Sequence, residues 1–352
     1  MGKWEKRKNY RPMCEALVAT HPTEDLIKAK NFIESYLEYR KLEKLYDTYI
    51  LGIKEALKNT GSGRIYVEYH IDGTETGRLS CSKYSIKDGA SLGVSFHTLP
   101  RETKYDIRSL VIAPDGYDFI TVDQKAMELR VLAHIANEDN MRQAFGRKED
   151  LHTFTATLLF NKPAQEITKQ QRQIAKSTSF LIVYGGGEFN LSETFSIPMS
   201  QATSIINKYK RIYPGIFSFM AAQHRKIRAN RYAETIFGRR RTLPLASSPS
   251  IPARERALRQ GFNFLIQSAA SDILLCSLIG ISNELKEKKL KSKIVASVHD
   301  SIELISPKNE TNEVVEIIKK HMIEYPYIKD KFGIEFTVPF EIDISIGNSF
   351  GH

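Results

Sequence analysis

Between Gln171 and Gly187 the chain reads QRQIAKSTSFLIVYGGG. Arg172, Lys176, Phe180 and Tyr184 recur every fourth residue, and side chains four apart lie on one face of an α-helix. At 1.5 Å per residue that face carries two cations and then two aromatic rings over about 18 Å. Charge at one end and flat rings at the other match a nucleoside triphosphate. Lys and Arg neutralise phosphate oxygens, whereas an aromatic face stacks on any base. The same spacing also fits an amphipathic helix with a charged start and an apolar finish, so the stripe constrains the chain without deciding its function.

Two further segments accompany it. Val122-Asp123 leads to Glu128-Leu129-Arg130 upstream, and Val298-His299-Asp300 lies downstream. In this order the three segments resemble motifs A, B and C of the family A (polymerase I-like) DNA polymerases. The resemblance implies an α+β right-hand polymerase fold: a palm with an antiparallel sheet, helical fingers and a truncated helical thumb. It divides the chain into a partial thumb (1–62), a first part of the palm (63–128), the fingers (129–254) and a second part of the palm (255–352).

Composition agrees with such a partner. The net charge is +10, from 51 Lys and Arg against 41 Asp and Glu, which favours a polyanion. No basic amphipathic helix with a bulky apolar face stands out, so nucleic acid is preferred over a membrane surface. Cys14, Cys81 and Cys276 form no C-x-x-C pair, which argues against a Cys-built zinc site and for free thiols in a reducing compartment. The N-terminus lacks the apolar region of a signal peptide, and the longest apolar run, Ile273 to Ile281, is too short to span a bilayer. A soluble, cytoplasmic protein of a bacterial or phage-infected cell is expected, with an organelle as the other location.

Periodicity places the elements. Helices are expected over residues 23–60, with Thr23-Glu24-Asp25 as the N-terminal cap, and LEYRKLEKLYDTYI resembles the later thumb helix of the family. Phe119 to Val122 reads as a buried strand ending at Asp123, and a helix follows with Leu129, Leu132, Ala133 and Ile135 on its apolar side. Residues 165–184 form the organising helix, stopped by Gly185 to Gly187. Helices over 200–232 break at Tyr213-Pro214-Gly215, Gly238 to Arg241 makes a basic turn, and Arg254 to Ile281 forms one long helix or two. Lys293 to Val298 and Ile302 to Ile305 read as a strand hairpin, and Val314 to Met322 as a helix.

Phosphoryl transfer depends on positioning and charge neutralisation, often by two divalent cations about 3.5 to 4 Å apart. Such hard cations take carboxylate oxygens. Asp123 and Asp300, each of which alone also fits a cap or a turn, could present carboxylates from adjacent strands. The resemblance makes them ligands of two Mg2+ ions, with Val122 adding a backbone carbonyl and Mn2+ as a substitute. It makes Arg172 and Lys176 the catalytic cations. It makes Arg172, Lys176, Phe180, Tyr184, Glu128 and His152 the nucleotide contacts, with Glu128 bonded to Tyr184 in the space a ribose 2′-hydroxyl would need. Phe180 implies poor use of nucleotides that lack a 3′-hydroxyl. Arg259, Asn263 and Gln267 also step by four, and with Ser-Ala-Ala-Ser-Asp they resemble the family helix that reads the minor groove. Arg78 in Thr-Gly-Arg-Leu-Ser, His299 and Arg240 complete the implied DNA contacts, and the basic run Arg225, Lys226, Arg228, Arg231 and Arg239 to Arg241 is expected to hold phosphates.

The chain also departs from the family pattern. Gln124, Lys125, Ala126 and Met127 fill the middle of motif A, Ser301 follows motif C with Glu303 two residues on, and Ser179, Leu181 and Leu265 replace common Asn, Gly and Pro. Phe96-His97-Thr98-Leu99-Pro100 stands where the family usually reads Asn-Gln-Asn-Ile-Pro. None of these removes an implied metal ligand or phosphate cation. The resemblance therefore implies a monomeric, template-directed DNA polymerase acting on primer-template DNA and deoxynucleoside triphosphates. Few residues precede the thumb helix and no D-x-E pair stands among them, so no proofreading exonuclease is expected in this chain, and a processivity or exonuclease partner protein is. A polymerase-derived nucleic-acid-binding protein with weak or no catalysis, and a single-subunit RNA polymerase, are the other readings; Glu128 with Tyr184 argues against the second.

Overall fold

A computed structural model describes residues 19–20, 23–86, 89–100 and 105–350. The beginning of the expected thumb segment, with Cys14, lies outside them. The described residues form two compact units, one built from residues up to 69 with 81–107, the other from 70–80 with 108 onward.

In the first unit α1 (Glu24–Lys44) starts at Thr23, whose hydroxyl accepts from the Leu26 amide at 3.4 Å. Glu24 and Asp25 in its first turn and Lys41 and Lys44 in its last suit the helix dipole. A wider turn over Leu45–Ile50 continues into α2 (Leu51–Thr60), which Gly61 ends in the left-handed conformation. None of α1 is buried, whereas Leu45, Tyr49 and Ala56 are. Tyr49 donates its hydroxyl to the Thr98 carbonyl, and Asn59 donates to the Ser91 carbonyl at 2.9 Å. Phe96 and Leu99 are themselves buried, so two residues of the stretch that departs from the family's Asn-Gln-Asn-Ile-Pro are used for packing. The strands β1 (Val67–His70) and β2 (Ser80–Lys83) pair with each other.

The second unit is organised by β3 (Tyr117–Gln124), one of the two inner strands of a four-stranded antiparallel sheet. Its neighbours are β7 (Ser301–Pro307) and β8 (Ile342–Gly347), and β6 (Lys293–Val298) lies outside β7. Successive side chains point to opposite faces. Ile120 and Val122, opposite Leu304 and Ile302, are fully buried on one face. They share a core with Leu274, Ile281 and Leu285 of α10 (Ile251–Glu287) and with Val314, Ile317 and Ile318 of α11 (Thr311–Lys319). Asp123 and Thr121 have the other parity, so the candidate carboxylate emerges from the face opposite this core.

A second, larger core joins the helices α3 (Met127–Ile135), α4 (Asp139–Gly146), α5 (Leu151–Phe160), α6 (Lys169–Val183), α7 (Glu188–Phe195), α8 (Met199–Ile212) and α9 (Pro214–Asn230) to Phe262, Ile266, Ala269 and Ile273 of α10. Helices α8 and α9 break where expected, with Pro214 at the first position of α9. The basic segment expected as a turn continues as a strand: β4 (Tyr232–Glu234) and β5 (Arg240–Thr242) make a hairpin. Because α10 belongs to both cores, the boundary expected at residue 254 falls inside one compact unit. The run Ile273 to Ile281, read above as too short to span a bilayer, belongs to a 37-residue helix that is long and apolar enough to do so by length and composition. Of its apolar window 78% is buried inside the protein, so core packing accounts for that composition.

The inner position of β3 makes its apolar face costly to truncate. Ile120→Ala is expected to lower unfolding free energy by about 3 kcal/mol in urea or guanidinium titrations, the range for a fully buried large-to-Ala change. An unchanged midpoint would contradict this packing.

Candidate active site

Strands β6 and β7 are joined by the two-residue turn His299-Asp300, with Val298 opposite Ser301. His299 carries a φ of 60°, a left-handed value that His tolerates at modest cost in tight turns. Ser301 pairs in turn with Asp123 of β3. The turn therefore sets Asp300 beside the strand end from which Asp123 projects, although the two are far apart in sequence.

Register also decides which carbonyl is open. Backbone groups of an antiparallel strand alternate between its two neighbours. The Gln124 amide donates to the Asp300 carbonyl at 3.4 Å, so Val122, two residues back, turns its amide and carbonyl to the same side, where Ile302 stands opposite. The Val122 carbonyl is thus engaged by the ladder. The carbonyl of Gln124 lies on that side at the end of β3, where the ladder gives way to the turn, and it replaces Val122 as the backbone oxygen best placed beside the carboxylates. Glu303 is no third donor: it is fully buried and accepts from Thr121 and Ser301, each at 2.6 Å. Burial pushes its carboxyl above the usual range, against those two bonds and Arg108.

Helix α6 begins with a capping box, in which the Thr168 hydroxyl accepts from the Gln171 amide and the Gln171 side chain accepts from the Thr168 amide, both at 3.1 Å. Arg172 makes a two-pronged contact with Asp150, at 2.9 and 2.8 Å. Asp150 also caps α5, accepting from the Thr153 amide at 2.8 Å. Burial alone would raise the Asp150 carboxyl, but the Arg172 fork and the Thr153 bonds outweigh it and hold it at about 2. His152, the second residue of α5, lies 6.1 Å from the Phe180 ring. Burial holds its imidazole at about 4, hence neutral near pH 7, and its Nδ1 is buried without a partner. Lys176 makes no ion pair among the described residues. It lines a cavity of about 840 Å³ with Phe180, Tyr184, Asn190 and Arg259. Gly185 closes α6 at a φ of 70°, and a Cβ there would come within 2.5 Å of the Arg259 side chain. Glycine is what lets α10 pass the end of α6 this closely.

A line of polar contacts runs from α10 to the β6–β7 turn. Gln267 donates to the Tyr184 hydroxyl at 2.9 Å, and that hydroxyl donates to Glu128 at 3.3 Å. Arg78 donates to the other Glu128 oxygen at 2.7 Å and stands 3.5 Å from Asp300. Burial raises the Glu128 carboxyl, with Arg78 opposing. The contact between Glu128 and Tyr184 expected from the sequence is therefore present, while Arg78, expected only against DNA, is held by protein carboxylates. Asn263 lies between Arg259 and Gln267 on α10, with its buried Nδ2 unpartnered.

The basic run is less open than its sequence suggested. Arg239 bonds Asp272 at 2.6 Å, Arg241 bonds Glu75, and Arg240 bonds Glu234 while lying 4.7 Å over the Tyr232 ring. Arg228 pairs with Glu255 at 3.3 Å. Any phosphate reaching these arginines must compete with a carboxylate. Asp150 and Asp272 were not assigned as partners from the sequence. Asp150 three residues before Thr153 is a legible cap signal, but its contact with Arg172 is tertiary and leaves no local pattern.

Residues 9–352 match the profile of DNA polymerase family A. The chain belongs to this family. It is 33% identical over 330 residues to DNA polymerase I of Borreliella burgdorferi, which covers 93% of this chain and 34% of that protein. It is 30% identical over 355 residues to the thermostable DNA polymerase I of Thermus aquaticus, covering 99% and 39%. Among solved structures it is similar to the POL domain of Pol1 from M. smegmatis in complex with DNA primer-template and dNTP, with a TM-score of 0.82, 26% identity, and coverage of 96% of this chain and 55% of that one. The α+β polymerase fold expected from the motifs is the one observed. The chain spans well under half the length of the two full-length relatives.

The Asp150–Arg172 pair has a pH signature. A carboxyl held below its unfolded value contributes stability that is present above about pH 4 and lost as pH falls towards 2. Arg172→Gln should return Asp150 towards 3.8, its ordinary value, and remove that window. Carboxyl 13C titration reads the shift directly, and an unmoved Asp150 would refute the pairing.

Proposed function

We propose that this chain is a template-directed DNA polymerase that joins deoxynucleoside triphosphates to a primer 3′-end and releases pyrophosphate. The observation that carries this reading is the unbroken line Gln267–Tyr184–Glu128–Arg78–Asp300, which ties the end of the α6 face to the carboxylates at the strand ends. Family membership supports it, as does similarity to a polymerase domain solved with primer-template and dNTP.

The donor set suits Mg2+: Asp123 and Asp300 offer hard carboxylate oxygens on adjacent strands, and the Gln124 carbonyl adds a neutral one. Magnesium ions held there would neutralise charge on the transferred phosphate and make the attacking hydroxyl more acidic. The protein's own groups do the rest. Lys176 supplies a permanent cation for the triphosphate, and Arg172, already oriented by Asp150, supplies a second. Phe180, set against neutral His152, gives the nucleotide a flat apolar wall. Tyr184 and Glu128, bonded to each other, fill the space of a ribose 2′-hydroxyl, which favours deoxynucleotides and disfavours the RNA polymerase reading. On α10, Arg259, Asn263 and Gln267 face the product duplex.

Primer extension tests the reading. Asp123→Asn should lower the rate about a hundredfold or more with folding intact, since a carboxylate that helps hold the metal is worth several kcal/mol; extension at the wild-type rate would sink the assignment. Glu128→Ala should raise ribonucleotide incorporation relative to deoxynucleotide by about tenfold, the scale of steric exclusion of a small group. Unchanged sugar discrimination would refute the role given to Glu128.

A further inference from the structure

The position of Arg78 is set by α10. Ser271 of that helix donates its hydroxyl to the Gly77 carbonyl at 2.8 Å, and Thr74 donates to the Arg78 carbonyl at 2.8 Å. Gly77 has a φ of 71°, and a Cβ there would lie 2.9 Å from the Arg239 guanidinium, which Asp272 pins in turn. The segment is thus clamped on both sides of the residue whose guanidinium reaches two carboxylates. The two contacts are unequal: Glu128 at 2.7 Å, with 7% of its side chain exposed, and Asp300 at 3.5 Å, with 40% exposed.

We propose that Arg78 is a built-in counter-cation of the carboxylate site: it screens Asp300 before divalent ions bind, yields Asp300 to them, and keeps Glu128. The inference rests on Asp123 and Asp300 being the metal ligands. Two cations on one carboxylate repel, so the guanidinium and a metal ion compete for Asp300. The longer, more exposed contact is the one that gives way, because its loss leaves no buried charge unpaired. The released guanidinium then belongs to Glu128 alone, whose other oxygen accepts the Tyr184 phenol. Metal occupancy and the geometry of the sugar gate are coupled through one positioning residue.

Mn2+ binding to the DNA-free protein, followed by electron paramagnetic resonance of the free ion, tests this in four forms: wild type, Arg78→Gln, Asp300→Asn and the double variant. Arg78→Gln should bind Mn2+ about fivefold more tightly, the scale of removing one competing charge from a partly exposed site. Asp300→Asn should bind more weakly, and in its background Arg78→Gln should gain under about twofold, since the contested carboxylate is gone. In the wild type, the Arg78 guanidinium 15N resonance, assigned by its absence from Arg78→Gln or, if that variant does not fold, from Arg78→Lys, should move on addition of diamagnetic Mg2+. Unchanged or weaker Mn2+ binding by folded Arg78→Gln, or a guanidinium signal that Mg2+ leaves in place, would overturn the proposal while leaving the polymerase reading standing. Undiminished Mn2+ binding by Asp300→Asn would instead remove the metal-site reading, and this proposal with it.

Discussion

A carboxyl with 7% of its side chain exposed costs several kcal/mol to ionise unless cations and donors surround it, and Glu128 is in that position. Its partners come from separate parts of the chain: Arg78 ahead of β2, Tyr184 at the end of α6, and through Tyr184 the Gln267 side chain of α10. Asp300 adds a like charge that Arg78 must also screen. Satisfying one buried group therefore fixes the mutual placement of α3, α6, α10 and the β6–β7 turn. Two glycines at close crossings serve the same end. Gly77 admits the Arg239 guanidinium and Gly185 admits the Arg259 stem, so the helix that supplies Gln267 can lie close enough to reach Tyr184.

What the sequence made legible is what depends on local period. The four-residue step of α6, the apolar run before Asp123, the break at Pro214 and the hairpin around His299-Asp300 all carry their signal within a few residues, and all appear in the structure. The contact between Glu128 and Tyr184 was accessible only through resemblance, since nothing local in either segment specifies the other. Partners chosen by tertiary packing were out of reach. Arg172 with Asp150, and the arginines 239 to 241 with Asp272, Glu234 and Glu75, read as free cations in sequence because opposite charges distant along the chain leave no mark at either end. The direction in which the Val122 carbonyl turns was hidden for a related reason. Which neighbour a backbone carbonyl faces depends on strand register, and register here is set by a pairing between residues about 180 positions apart. The apolar stretch of α10 misled on length because a helix that serves two cores is apolar around much of its circumference.

The paired basic residues change how a polyanion can be held. A net charge of +10 attracts nucleic acid at long range, but near the surface the strongest local charges of the β4–β5 hairpin are already answered. Exchange of a carboxylate for a phosphate releases less free energy than capture by a bare cation. The neutral side chains of Asn263 and Gln267 along α10 face no such competition, which suits the groove-edge contacts proposed for them.

Ser301 stands where the family commonly has Glu, and Glu303 restores a carboxyl nearby, so the site could be read as carrying three acids. The rungs of the sheet argue otherwise. Asp123 pairs with Ser301 and Thr121 with Glu303, so all four side chains share one face of β3 and β7. Glu303 spends both oxygens on that face, accepting from Thr121 across the strands and from Ser301 along its own. A fully buried carboxyl, raised by burial and bonded through each oxygen to a neighbouring hydroxyl, is committed to the sheet rather than to a cation at its surface. It is a cross-strand clamp one rung below Asp123. Because slipping the register by one residue would turn every side chain to the wrong face, that clamp protects the adjacency of Asp123 and Asp300 itself. The acid that the sequence moved two positions along has passed from the edge of the site to the support beneath it, and the proposed metal site is left with two carboxylates.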